Sequence, residues 1–180
     1  MEQTYDDLIA FHGHSCPGLA MGYRMARAGL DFLSGTRAAD EELVAIVENN
    51  ACGVDALQCI TGCTFGKGNL IFKDYGKHVY TLYHRKTGRG VRAVLHHGNI
   101  PDEIRNGRAR FINWLLTVPE EQLVSLQEVV IEEPETARIM KSVECSFCGE
   151  GVMETRVREI NGRVACIPCW EKRSDGWAES

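Results

Sequence analysis

The stretch that decides the fold is Phe11-His12-Gly13-His14-Ser15-Cys16-Pro17-Gly18 (residues 11–18), in which two imidazoles and a thiol precede a long helix. Pro17 suits a first helical position, because its missing N–H would be unpaired there anyway and its φ is already helical. Cys16 is therefore expected at the N-cap. A thiol at a helix N-terminus experiences the positive end of the helix dipole, which favours the thiolate. We expect Cys16 to be a metal ligand or a nucleophile.

The apolar residues after Pro17 predict one helix with a single buried stripe, which Gly35 is expected to end. They recur at spacings of 4, 3, 4 and 3 residues, at Leu19, Tyr23, Ala26, Leu30 and Leu33. Glycines at 18, 22 and 29 are costly inside a helix. We therefore expect another backbone to pack closely there, from this chain or from a second subunit.

Residues up to about 135 alternate between strand-like and helix-like segments. The β-branched run at 43–47 predicts a strand that is buried on both faces. Glycine-rich turns separate the next three strand-like runs, which we expect to be antiparallel. The predicted strands are 43–47, 70–74, 79–84, 91–96 and 126–131, and further helices are predicted over 4–10, 54–61, from Pro101 to Leu116 and from Pro119. The sequence therefore predicts an α+β fold with helices packed on a mostly antiparallel sheet.

Charge and hydropathy exclude several classes of protein. With 20 Lys and Arg against 25 Asp and Glu, the net charge is −5, and no run of like charges suggests a polyanion-binding surface. The longest apolar run is short and the N-terminus is acidic, unlike a membrane span or a signal peptide. We expect a cytoplasmic protein that does not bind membranes. The acidic charge disfavours nucleic-acid binding, which stays open as an alternative only through the C-terminal cysteine-rich segment.

The eight cysteines indicate metal or thiol chemistry in two separate places, because cytoplasmic proteins rarely form disulfides. The first set is Cys16, Cys52, Cys59 and Cys63, and the second set is Cys145, Cys148, Cys166 and Cys169. The second set forms two C-x-x-C pairs 17 residues apart, a spacing typical of four-cysteine zinc sites. An Asn161-Gly162 turn between the pairs and a helix after Pro168 favour a treble clef. We expect the finger to hold a structural zinc, with a redox-sensitive dithiol or a docking module as alternatives.

Residues 12–16 offer a second metal site, because imidazole and thiolate suit a transition metal. The ordinary alternative is a hydrogen-bonded histidine and a packed cysteine. Cys52 and Cys63 bracket the predicted helix 54–61 and approach the 12–16 loop from its two ends, whereas Cys59 is expected to pack. Of the other histidines, His78 and His84 are expected on the surface, and at most one of His96 and His97 faces the site.

Two long motifs carry a resemblance to a known family. They are Phe11-His12-Gly13-His14-x-Cys16-Pro17-Gly18 and Asp55-Ala56-x-Gln58-x-x-Thr61-Gly62-Cys63-Thr64-x-Gly66-Lys67-Gly68-Asn69. Over about residues 1–135 the chain resembles the E-subunit-like family of formylmethanofuran dehydrogenase. Some members of that family also resemble this chain at its C-terminal end, where they carry a four-cysteine treble clef. We therefore divide the chain into a core domain (1–135), a connector (136–143) and a zinc finger (144–180).

The resemblance implies an intertwined homodimer with a metal-binding cleft, and a link to molybdenum or tungsten formylmethanofuran dehydrogenase and methanogenesis. Carried over by position, it implies His14, Cys16, Cys52 and Cys63 as the metal residues of the cleft, lined by His12, Asp55 and Lys67. Zinc or another transition metal would have an open position there. Cys16 would be ligand or nucleophile, His14 ligand or base, and Lys67 an anion anchor. The alternatives are an accessory protein that docks a protein partner through the finger, or a thiol-redox protein, so the sequence leaves enzymatic activity open.

Overall fold

The computed structural model describes residues 3–35 and 37–174, and the chain divides into two units, Met1–Ala137 and Arg138–Ser180. The last part of the predicted finger, residues 175–180, lies outside the described residues.

The first unit consists of a five-stranded sheet with helices packed on it. The strands are β1 (Leu43–Val47), β2 (Leu70–Phe72), β3 (Val79–His84), β4 (Arg89–Leu95) and β5 (Val124–Val129). The helices are α1 (Tyr5–His12), α2 (Pro17–Phe32), α3 (Gly53–Thr61), α4 (Asp102–Arg105), α5 (Arg108–Thr117) and α6 (Glu120–Leu123), with a 3-10 turn at His97–Asn99. None of the helices within 3–35 and 37–174 is long and apolar enough to cross a bilayer.

The strand order is β2-β1-β3-β4-β5, and every neighbouring pair except β1 and β2 is antiparallel. The predicted α+β fold with a mostly antiparallel sheet is therefore confirmed. The expectation that residues 70–74 pair antiparallel with the following strand is wrong. Instead β2 runs parallel to β1, with Ala45 opposite Leu70, because α3 forms a crossover that returns the chain in the same direction.

Two helix predictions need correction. The helix expected from Pro101 to Leu116 is interrupted after Arg105, because Gly107 has a φ of 151° that no right-handed helix contains. Helix α2 ends at Phe32 rather than at Gly35, and Ser34 takes the positive φ, at 50°, that was expected of the glycine.

Helices α2 and α3 approach each other most closely at two glycines. A Cβ on Gly22 would overlap the backbone of Gly53, and a Cβ on Gly53 would crowd the carbonyl of Gly18 and the hydroxyl of Tyr80. The close partner that the helical glycines predict is thus supplied by α3 of the same chain. The contact also brings Cys52, which precedes α3, beside Gly18 at the start of α2.

The second unit contains two hairpins followed by a helix. Strands β6 (Ser142–Glu144) and β7 (Gly151–Met153) form the first hairpin, and β8 (Val157–Ile160) and β9 (Arg163–Cys166) form the second. Helix α7 (Ile167–Ser174) follows directly. Asn161 and Gly162 make the second turn with φ of 50° and 75°, as the Asn-Gly pair predicts.

Candidate metal centres

The first centre is built where α1 ends and α2 begins. His12 occupies the last turn of α1 rather than the loop expected from the sequence, and Gly13 caps that helix in the left-handed conformation with a φ of 92°. Cys16 is the N-cap of α2 and Pro17 its first residue, as predicted. The tight reversal between the two helices brings the side chains at 12, 14 and 16 together.

One ligand atom from each of His12, His14 and Cys16 lies within 4.8 Å of the others. The two imidazole rings are 4.5 Å apart between centroids, and Cys16 Sγ is 3.9 Å from His12 Nε2. We call these three residues the core cluster. Three nitrogen and sulfur donors at this spacing suit a transition metal and leave room for a further ligand.

Asp55, in the first turn of α3, orients His12. Its Oδ2 lies 2.7 Å from His12 Nδ1, and the His12 side chain is only 10% exposed. When His12 is neutral, a proton on Nδ1 donates to the carboxylate and leaves the lone pair of Nε2 directed toward Cys16 Sγ. A carboxylate on the far nitrogen of a ligating imidazole is the usual outer partner of a metal-bound histidine.

The thiol of Cys16 is held by the start of its own helix. Residue Cys16 is 8% exposed, and its Sγ accepts a hydrogen bond from the backbone N–H of Leu19 at 3.3 Å. The preceding residue is fixed from two sides, because Ser15 Oγ is 3.0 Å from the Tyr5 hydroxyl and its carbonyl accepts from Arg108. The loop that carries His14 and Cys16 is therefore anchored at its second half.

Cys52 lies beside Cys16, although within the described residues it does not join the 4.8 Å group. Burial is the main reason that the pKa of Cys52 is raised, and the neighbouring Cys16 thiol raises it further. The two cysteines thus form a thiol pair at the junction of α2 and α3.

Cys63 and Lys67 lie at the other end of α3 from the core cluster. The buried Cys63 thiol donates to the carbonyl of Leu43 at 3.5 Å, and Lys67 Nζ donates to the carbonyl of Asp40 at 3.0 Å. Both contacts are at or before the start of β1, whereas Cys52 follows the end of that strand. Helix α3 has nine residues and is about 13 Å long, so within one chain Cys63 and Lys67 lie too far from the core cluster to join it.

Two further cysteine features follow from burial. Desolvation raises the pKa of Cys63 to about 11, which keeps it a thiol at neutral pH. Cys59 is half-buried against the core, with its Sγ 3.8 Å from Gln3 Oε1, in agreement with the packing role expected for it.

The second centre is the four-cysteine cluster of the second unit, whose sulfur atoms all lie within 4.8 Å of one another. Cys148 Sγ and Cys166 Sγ are 3.8 Å apart, and Cys145 Sγ accepts from the backbone N–H of Cys166 at 3.2 Å. That hydrogen bond is the main reason why the pKa of Cys145 is lowered to about 6. Four sulfurs about 2.3 Å from a zinc ion would be about 3.8 Å apart, so the cluster fits tetrahedral coordination.

The core cluster differs from what the family resemblance implies at two residues. The resemblance gives His12 and Asp55 only as lining of the cleft, yet His12 is a member of the cluster, as the residue pattern at 12–16 predicts, and Asp55 is its hydrogen-bond partner. The alternating spacing His12-x-His14-x-Cys16 was a signal for the first of these. No local pattern pointed to the second, because 43 residues separate His12 from Asp55.

Comparison with known proteins identifies a family and a curated relative. A family profile described as "FmdE, Molybdenum formylmethanofuran dehydrogenase operon" matches residues 11–142. A probable S-adenosyl-L-methionine-binding protein of Archaeoglobus fulgidus is 31% identical over 188 aligned positions, which cover 88% of this chain and 50% of that protein. The chain thus spans about half the length of this relative.

A crystal structure also matches almost the whole chain. It is that of a tungsten formylmethanofuran dehydrogenase FmdE-like protein from Syntrophus aciditrophicus, with a TM-score of 0.66 and 25% sequence identity. The match covers 99% of this chain and 95% of the crystallised chain.

Proposed function

Because this chain belongs to the FmdE family, we propose that it is an accessory metalloprotein with two metal sites, one in the core cluster and one in the finger. The observation that carries the proposal is the convergence of His12, His14 and Cys16, with Asp55 on the outer nitrogen of His12. We take zinc to be the metal of the finger and zinc or another soft divalent ion to be the metal of the core.

The finger serves stability in this proposal. Four thiolates complete a tetrahedral zinc shell and leave no open position. Two short hairpins and one helix, in a unit of about forty residues, bury too little apolar surface to fold well alone, so metal binding would supply folding free energy.

The core cluster serves binding or chemistry in this proposal. With three protein donors, a bound metal would act as a Lewis acid with one position open to water or to a small ligand. Asp55 holds the His12 ring in one tautomer, and the Leu19 N–H compensates negative charge on the Cys16 sulfur. In a metal-free core cluster, Cys16 would instead act as nucleophile and His14 as base.

We further propose a cytoplasmic homodimer that serves a molybdenum or tungsten enzyme system, with the core cluster at or near the dimer interface. Phe11, which is next to His12 and is 60% exposed, would bury apolar surface at such an interface. The names of the family and of the crystallised relative support the link to such an enzyme.

Metal analysis of the full-length chain tests the proposal. The wild type should carry about two metal ions, one in each centre. The double substitution His14→Asn/Cys16→Ser should lose one ion while the finger keeps its own, since serine is also a good N-cap and α2 stays intact. Cys148→Ser should lose the other ion.

Cys59→Ser is the matched control, because this thiol lies in neither centre. It should keep the full metal content. A double variant that retains wild-type metal content would show that the core cluster is not a site, and the docking role would then be favoured.

A further inference from the structure

A basic cavity lies on the face of the sheet that is turned away from α2. Its volume is about 360 Å³, within the range of about 300–1,000 Å³ typical of small-molecule sites. Its lining combines four basic side chains with three apolar ones and one glycine: Lys77, His78, Arg92, His97, Val79, Val94, Leu95 and Gly76. It shares no residue with either metal centre.

The register of β3 and β4 shows which face of the sheet carries Arg92, one of the charged residues of this cavity. Arg92 lies opposite Thr81 and Val94 opposite Val79, so both alternate with Ala93, which belongs to the core. Arg92 therefore projects away from α2. Glu48 lies 3.3 Å from Arg92 and is the carboxylate that pairs with it, while the side chain of Arg92 keeps 32% of its surface exposed.

The two histidines face each other at the edge of the cavity. The rings of His78 and His97 are 4.9 Å apart in an edge-to-face arrangement, a pairing that their spacing along the chain does not predict. Their ring nitrogens offer hydrogen-bond donors to an anion that binds beside them.

The backbone that carries these groups is fixed before any ligand arrives. The buried Asn49 donates through Nδ2 to the carbonyl of Lys77 at 2.6 Å, and the N–H of Leu95 donates to the carbonyl of His78 at 3.2 Å. A site that is ordered in advance loses less entropy when it binds.

We propose that the basic cavity binds the phosphate group of a small organic molecule. The Lys77 ammonium and the Arg92 guanidinium supply charge, and the two imidazoles supply N–H donors for the phosphate oxygens. Val79 and Val94, which share a face of the sheet with Arg92, would pack against the organic body. A bare phosphate ion would leave the cavity largely unfilled.

Phenyl phosphate is the probe, because it joins a phosphate to an apolar ring. The full-length protein is titrated with it by calorimetry, with histidine ring resonances followed by NMR. Saturable binding that shifts the His78 and His97 signals is expected. Lys77→Gln/His97→Asn should weaken it at least about tenfold, since two charge-assisted contacts are lost and each 1.4 kcal/mol is a factor of ten. Both replaced residues are exposed, so folding should be unaffected.

His84→Asn/Lys86→Gln is the matched control, because it removes one histidine and one lysine at the opposite end of the β3–β4 hairpin. It should bind phenyl phosphate as the wild type does. Phenol should not bind, and inorganic phosphate should bind more weakly than phenyl phosphate. The proposal is overturned if no saturable binding occurs at millimolar concentrations, if both double variants bind alike, or if phenol competes. Equal affinity for inorganic phosphate would overturn the assignment of an organic ligand.

Discussion

Removing the carboxylate of Asp55 should weaken metal binding at the core cluster without touching any metal ligand. The 2.7 Å contact between Asp55 Oδ2 and His12 Nδ1 is a charge-assisted hydrogen bond, for which about 1.5–3 kcal/mol is usual. Because the Asp55 side chain is 41% exposed, solvent screening places the energy of this hydrogen bond near the lower limit of that range. About 1.5 kcal/mol corresponds to roughly tenfold in affinity, at the lower edge of the 10–100-fold typical of such outer partners.

Two substitutions separate charge from geometry. Asp55→Ala removes both and should lower the metal affinity of the core site about tenfold. Asp55→Asn keeps an oxygen that can accept from Nδ1, so its loss should be smaller. Competition against a chelator of known affinity measures both, on full-length protein whose finger has been loaded first. Asp31→Asn is the control, since this carboxylate lies near the end of α2, far along the helix from Cys16.

An affinity for Asp55→Ala within twofold of the wild type would refute the reasoning. It would mean that His12 keeps its ring orientation without Asp55, or that His12 does not bind the metal. Circular dichroism and retention of the finger metal would exclude unfolding as the cause of a loss.

Four other changes test separate parts of the structure. Gly22→Ala should lower the free energy of unfolding by about 2 kcal/mol, because the new Cβ would overlap the backbone of Gly53; this cost outweighs the better helix propensity of alanine. Denaturant unfolding measures the loss, and Gly66→Ala, whose Cβ would meet open space, is the control. Cys63, whose pKa burial raises to about 11, should resist iodoacetamide at pH 8 in the native protein, as peptide mass spectrometry would detect; prompt labelling would contradict its burial. Burial, together with His97, lowers the pKa of His78, so the unfolded chain binds more protons than the folded one at mildly acidic pH. The free energy of unfolding should therefore fall as the pH drops below about 6.5, and in His78→Gln it should fall less steeply than in the wild type, as denaturant unfolding would show. Chelation should make the finger sensitive to protease while the first unit stays intact, and an unchanged digestion pattern would argue against structural zinc.

The parts of the two centres that the sequence predicted are those in which the donors are close along the chain. Cys16 is followed by a proline, so its N-cap position could be inferred from local backbone chemistry alone. The cysteine pairs of the finger are likewise each separated by two residues, and the Asn161-Gly162 turn needs no distant partner. Such features depend on φ preferences and short spacings, which are written in the sequence itself.

The parts that could not be predicted depend on long-range packing. The strand-like run at 70–74 has the same composition whether it pairs with β1 or with β3, and only the α3 crossover decides. Asp55 meets His12 because α1 and α3 pack together, which no spacing within either helix reveals. The bracketing of α3 by Cys52 and Cys63 indicated that both ends reach the loop, yet a helix of nine residues separates them by about 13 Å.

The pair of glycines at 22 and 53 determines which end of α3 lies at the core cluster. Their contact lets the two helix backbones touch near the start of both helices, and so Cys52 comes to lie beside Gly18 and Cys16. The same placement puts the first turn of α3, which carries Asp55, against the last turn of α1, which carries His12. The glycines cost helix stability, but without them a larger separation of α2 and α3 would draw Asp55 away from His12. The sequence feature that looks least favourable for the helix therefore positions the groups on which the proposed metal site depends.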